Sequence, residues 1–194
     1  MPTPAEITTH HDPAPDGNPW VVDEIIEQVT LVDYQSEWPI IFEALAHDIR
    51  SALGERALTI EHVGSTSVPG LAAKPVIDVD LTVADTRVEA DYVPALEAIG
   101  YILTIREEWW FQHRMLRLAE PRVNLHVFEP DCPELIRHRL FRDRLRGDAD
   151  DRDAYVAAKR GAAPGAASVL DYNQRKQPVI REIYERAFRD AGLL

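Results

Sequence analysis

A mixed β-sheet flanked by helices, of α/β (α+β) class with a helical C-terminal part, is predicted by three features of the chain. Residues 36–53 carry apolar side chains at helical spacing. Between Leu58 and Phe128, short apolar runs alternate with polar residues at period two. From Pro133 onward the spacing is helical again. The chain's 194 residues are enough for one domain with a proper core, and 45% hydrophobic with 28% charged residues are ordinary globular values. A net charge of −12 argues against a general nucleic-acid binder, which is usually basic. The single cysteine, Cys132, cannot form an internal disulfide and fits a reducing compartment. No run reaches membrane-spanning length, and the N-terminus lacks a basic start or an apolar signal core, so a cytoplasmic location is expected.

Each element follows in order. Residues 1–19, rich in Pro, His, Thr and Asp, are expected to form a disordered tail, leaving 20–194 as the folded domain. Residues 28–32 read as a short β segment. Ser36 is the expected N-cap of a helix carrying Ile41, Phe42, Leu45, Ile49 and Leu53 on one face, stopped by Gly54. Residues 58–63 and 76–83 read as strands. A helix from about Arg87, with Pro94 marking a fresh start, ends at Gly100. Residues 101–105, 109–118 and 123–128, separated by polar turns, predict an antiparallel meander. The last third predicts helices over 133–146, 150–160 and about 171–191, with Gly161 to Ser168 as a joint of small residues.

The stretch Glu61 to Val83, EHVGSTSVPGLAAKPVIDVDLTV, interrupts its apolar runs in a way that packing alone does not require. Strand side chains alternate between faces, so Asp78, Asp80 and Thr82 share one face and Ile77, Val79, Leu81 and Val83 the other. Two like charges on one strand face repel unless something positive lies between them. A hard cation with oxygen ligands, Mg²⁺ arriving with a substrate's phosphates, answers that need. Gly64 lets the backbone approach a ligand, and Ser65 and Thr66 offer hydroxyls and N–H donors to a phosphate. Lys74, just before the second strand, is within reach of a phosphate or of an aspartate.

Gly-Ser after a strand, then Asp-x-Asp on the next, resembles the nucleotidyltransferase fold of the DNA polymerase beta superfamily. The fuller string HVGSTSVPGLAAKPVIDVDL is similar to the GrpB family within it, a domain fused in some bacteria to dephospho-CoA kinase. The segments VTLVDYQSEWPIIFEAL and FRDRLR resemble that family too, and Tyr172 and Lys176 match the Tyr-x-x-x-Lys of its final helix. The resemblance implies a nucleotidyltransferase-like sheet and a Mg²⁺-dependent nucleotidyltransferase acting on a nucleoside triphosphate. The metal would rest on Asp78 and Asp80. The nucleotide would be held by Gly64, Ser65, Thr66, Lys74, Tyr172 and Lys176, and an unidentified small molecule or protein would be the acceptor. Where active enzymes of the superfamily often carry a third carboxylate, this chain has His126 in NLHVF, a neutral ligand or base. The alternative is therefore a binding module for a nucleotide or CoA precursor without turnover. A solvated helix face is the expected place of Arg142, Arg146 and Lys159.

Overall fold

The computed structural model describes residues 1–11, 18–23 and 29–194. In its five-stranded sheet, strand β2 (Ile77–Thr82) pairs on both sides. One neighbour is the antiparallel β1 (Thr59–Val63); the other is the parallel β5 (Val123–Phe128). Beyond β5 lie β4 (His113–Leu118) and then β3 (Ile102–Glu107), both antiparallel, so the order is β1-β2-β5-β4-β3. The meander of β3, β4 and β5 forms as its alternation and polar turns predict. Gln28 lies outside the described residues. Val32, at the other end of that expected β segment, makes an isolated bridge to Ala73.

The period-two pattern of β2 separates the two faces of the sheet. Val79 and Leu81 are fully buried and join Leu125, Val127 and Leu116 in the main core. Over that face lies α2 (Trp38–Leu53), contributing Trp38, Leu45, Ile49 and Leu53. The short α3 (Val93–Glu97) adds Val93 and Leu96. Fully burying one such aliphatic side chain contributes roughly 1.5–3 kcal/mol. Two expected boundaries move. Ser36 is not the N-cap of α2: that position is Glu37, with no side-chain cap, and Pro39 sits in the first turn, where its missing N–H costs nothing. The helix expected from Arg87 is confined to α3, because Glu89–Asp91 form a separate 3-10 turn and Tyr92 ties its hydroxyl back to the Thr86 carbonyl at 2.8 Å.

The opposite face is covered by α4 (Pro133–Gly147), α5 (Ala149–Ala162) and α6 (Val169–Asp190). Arg144 of α4 reaches Asp148, Asp151 and Asp190, and Arg186 of α6 reaches Asp151 at 2.7 Å, so one buried aspartate joins all three helices. Pro178 lies inside α6 without ending it.

The N-terminal stretch departs from the expected tail. Residues 1–11 include a helix, α1 (Pro4–Thr8), capped by a Thr3–Glu6 capping box. The reason is Ile7, only 5% exposed, which packs with Tyr184 and Phe188 of α6. Arg137 of α4 then donates to the carbonyls of Ile7 (2.7 Å) and Thr9 (2.9 Å). Residues 12–17 of the expected tail lie outside the described ones.

Candidate functional site

The helical layer and the polar sheet face enclose a cavity of about 600 Å³. The register builds its floor. Asp78 lies opposite Asn124 on β5 and Val63 on β1, and Asp80 lies opposite His126, which lies opposite Met115 on β4. Partners directly opposite share a face, so the polar residues of β2 and β5 meet here, flanked by Val63 and Met115.

Gly64 follows β1 with φ +65°, in the left-handed region that favours glycine. A Cβ there would lie 2.3 Å from Asp78 Oδ2, so the turn can pass this close to the aspartate only as glycine. Ser65–Ser67 form a single 3-10 turn. Arg146 donates to the Ser67 carbonyl at 2.8 Å and Arg142 to the His62 carbonyl at 3.1 Å. These arginines, expected on a solvated face, instead hold the backbone of the loop and of the strand before it.

The expected site residues divide. Gly64, Ser65, Lys74, Asp78, His126, Tyr172 and Lys176 all line the cavity. Thr66 does not: it is 1% exposed, and its hydroxyl pairs with His62 Nε2 (3.0 Å) and donates to the Val76 carbonyl (3.2 Å). Expected as a phosphate contact, Thr66 is a strut between β1 and β2, because its hydroxyl is already used inside the protein.

Asp80 also departs from expectation. It is 2% exposed, and its two oxygens lie 2.9 and 3.1 Å from His138 Nδ1 on α4. Burial works against a charge on His138, but the Asp80 carboxylate outweighs it and lifts the imidazole to about 9. The positive charge beside Asp80 is thus an imidazolium. Asp78, in contrast, accepts from Asn124 Nδ2 at 2.9 Å and faces the cavity. An octahedral Mg²⁺ held by both aspartates does not fit this donor set while His138 occupies Asp80. Among the described residues, no group of three or more His, Cys, Asp or Glu side chains is placed to hold a metal ion.

The opposite wall carries two residues with a larger part than expected. Lys159 of α5 is 2% exposed and donates to Ser65 Oγ (2.6 Å) and the Ala72 carbonyl (3.0 Å). Burial, reinforced by nearby Lys176, pushes its amine down to about 6. Lys176 is pushed down to about 8 by burial. Their Nζ atoms sit over aromatic rings: Lys159 is 4.4 Å from the Tyr155 centroid, Lys176 is 4.6 Å from that of Tyr172, and Lys74 approaches Tyr172 at 5.9 Å. A signal for Lys159 was present in the sequence: Tyr155-x-x-x-Lys159 repeats the spacing of Tyr172-x-x-x-Lys176 on the next helix. His138 had a weaker one, three residues from Leu135 and from Phe141 along one helix stripe.

With this geometry in view, the chain can be set beside known proteins. The family described as GrpB protein matches residues 28–186. The chain belongs to the GrpB family. A UPF0157 protein of Halalkalibacterium halodurans is 47% identical over 160 residues, covering 82% of each chain. The GrpB protein of Enterococcus faecalis has a solved structure that overlays with a TM-score of 0.74 at 30% identity, covering 84% of this chain and 99% of that one. A dephospho-CoA kinase of Mycolicibacterium paratuberculosis is 32% identical over 188 residues, covering 82% of this chain but 46% of the kinase. The resemblance stated on HVGSTSVPGLAAKPVIDVDL therefore holds at the level of the family and of its mixed sheet with flanking helices.

Proposed function

We propose that this GrpB-family cavity binds the phosphates of a nucleotide or of a CoA precursor. One observation carries the reading: Lys159 is a buried amine held at the Ser65 hydroxyl, on a wall shared with Lys74 and Lys176. Buried Lys159 and half-buried Lys74 and Lys176 share this wall with the Asp78 carboxylate in the same cavity, and a phosphate chain supplies further negative charge and acceptor oxygens. Gly64 and Ser65 line the same cavity, and the N–H groups of such a turn are further donors for a phosphate. Tyr155 and Tyr172 add aromatic surface for the organic part of the ligand.

The test is a thermal-shift series with nucleoside triphosphates and CoA precursors, with and without Mg²⁺. A binding ligand at about a hundred times its Kd stabilises the fold by about 2.7 kcal/mol. We expect stabilisation of the wild type and its reduction to about a third in Lys159→Met. A variant that responds as the wild type does removes the lysine wall from the reading.

A second reading, Mg²⁺-dependent nucleotidyl transfer to an acceptor, is favoured by a different observation: Gly64, Asp78 and His126 share one wall. It requires pyrophosphate release from a nucleoside triphosphate, abolished in Asp78→Asn. Stabilisation by nucleotide without pyrophosphate release in the presence of candidate acceptors leaves the binding reading alone.

A further inference from the structure

Four side chains form a line that runs from Glu107 to Asp78 on the floor of the cavity, and the lysine-wall reading does not use it. Glu107 Oε2 lies 2.8 Å from His113 Nδ1, and His113 Nε2 lies 3.0 Å from His126 Nδ1. His126 Nε2 then stands 4.0 Å from Asp78 Oδ1, beyond hydrogen-bond reach. His113 cannot turn to relieve the pattern. It is 2% exposed and held between Trp110, edge-on at 4.9 Å, and Phe128, stacked at 4.8 Å.

The protons on this line follow from one end. A carboxylate only accepts, so His113 carries its proton on Nδ1, toward Glu107. In the neutral ring, Nε2 of His113 is then a lone pair, and it accepts from Nδ1–H of His126. That leaves Nε2 of His126 bare as well. The distances agree with this order. The two contacts with a proton between them are at bonding length, and the long gap falls where two acceptors face each other. Burial also pushes the His113 imidazole down to about 4 against the pull of Glu107, which keeps the ring neutral.

We propose that Glu107 and His113 are positioning residues that fix His126 as its Nδ1–H tautomer, so that Nε2 and Asp78 Oδ1 form an acceptor pair for an amino group of the ligand. A donor about 2.8 Å from both atoms bridges a 4.0 Å gap at close to a right angle. An amino group has protons for both acceptors, whereas a hydroxyl has one. The carboxylate favours the ammonium form. A Mg²⁺ ion fits the gap less well, because its adjacent ligands at about 2.1 Å lie roughly 3 Å apart. The inference rests on the cavity floor and not on the lysine wall, so failure of nucleotide binding does not decide it.

The experiment is long-range ¹H–¹⁵N spectroscopy of the histidine rings at alkaline pH. In the wild type, His126 is expected to show a protonated Nδ1 and a bare Nε2. In His113→Phe, which keeps an aromatic ring between Trp110 and Phe128, Nδ1 loses its acceptor and the proton is expected to move to Nε2, facing Asp78. A protonated Nε2 in the wild type overturns the proposal without any variant, as does an unchanged tautomer in His113→Phe. Methylammonium chloride is expected to shift the His126 Nε2 resonance in the wild type, and tetramethylammonium chloride, which has no N–H, to leave it in place. Equal responses to the two salts, or none to either, reject the amino group as the ligand.

Discussion

Asp78 and Asp80 stand two residues apart on one face of one strand, yet they occupy different surroundings. At the Asp78 end the sheet opens into the cavity, and the nearest partners are an amide, an imidazole at 4.0 Å and the backbone of Gly64. At the Asp80 end α4 closes over the strand, and the carboxylate is buried against His138. The open end is suited to a ligand, while the closed end has its counter-charge from the fold itself. The difference teaches that a paired-carboxylate motif specifies a face, and that the covering helix decides which member stays available.

Breaking the closed end has the largest expected effect. Removing one partner of a buried pair leaves the other uncompensated, so Asp80→Asn is expected to lower the unfolding free energy by about 3 kcal/mol, measured by urea denaturation. Asp78→Asn should cost less than about 1 kcal/mol in the same assay, since the asparagine remains at a partly open position. Equal losses in the two variants erase the distinction.

Gly64→Ala tests the open end from the backbone side. Its Cβ would meet Asp78 Oδ2 at 2.3 Å, and its φ of +65° disfavours any side chain. A loss of about 2 kcal/mol is expected, with weakened ligand binding, both readable in one thermal-shift titration. Lys159→Met should reduce affinity for an anionic ligand about thirtyfold, the effect of removing one buried charge contact worth about 2 kcal/mol. Lys176→Met, at a less buried position, should reduce it about fivefold. Isothermal titration calorimetry ranks the two, and a larger loss in Lys176→Met reverses the proposed order.

The two ends also respond to pH with opposite sign. His138 is raised from 6.5 to about 9, so its stabilisation is fully present below pH 6.5 and is lost as pH rises through 9. Lys159 is lowered from 10.5 to about 6, so its burial costs stability in full below pH 6, and that cost is relieved as pH climbs toward 10.5. Asp80→Asn should remove the first dependence and Lys159→Met the second. Stability curves across this range that keep their wild-type shape in both variants contradict the assignment.

Much of the fold was legible because it is written in local periods. The alternation of β2 places Val79 and Leu81 in the core and both aspartates opposite, and the spacing of α2 buries Leu45, Ile49 and Leu53. The Gly64-Ser65 turn was legible because a glycine after a strand lets the backbone approach a ligand and two aspartates follow on the next strand, while its φ of +65° shows only in the structure. What stayed hidden depends on pairing across long separations. His138 meets Asp80 over 58 residues and Lys159 meets Ser65 over 94, and no local pattern records either encounter. Lys159 shares the Tyr-x-x-x-Lys spacing of Lys176, but its partner Ser65 shows only once α5 is docked on the loop. The N-terminal helix was missed because one isoleucine among polar residues carries no period at all.

The mooring of the first eleven residues reaches further than their own packing. Arg137 spends its guanidinium on two carbonyls and on His10, lies over the rings of Tyr184 and Phe188, and directly precedes His138 in α4. Trimming the chain to the span shared with the family, residues 28–186, would strip those acceptors and the Phe188 ring from a sheltered cation. Tyr184 also lines the cavity, so the same cut would loosen one of its walls from behind. Affinities and melting points taken on such a fragment would therefore describe a different molecule, even though every shared motif had been retained.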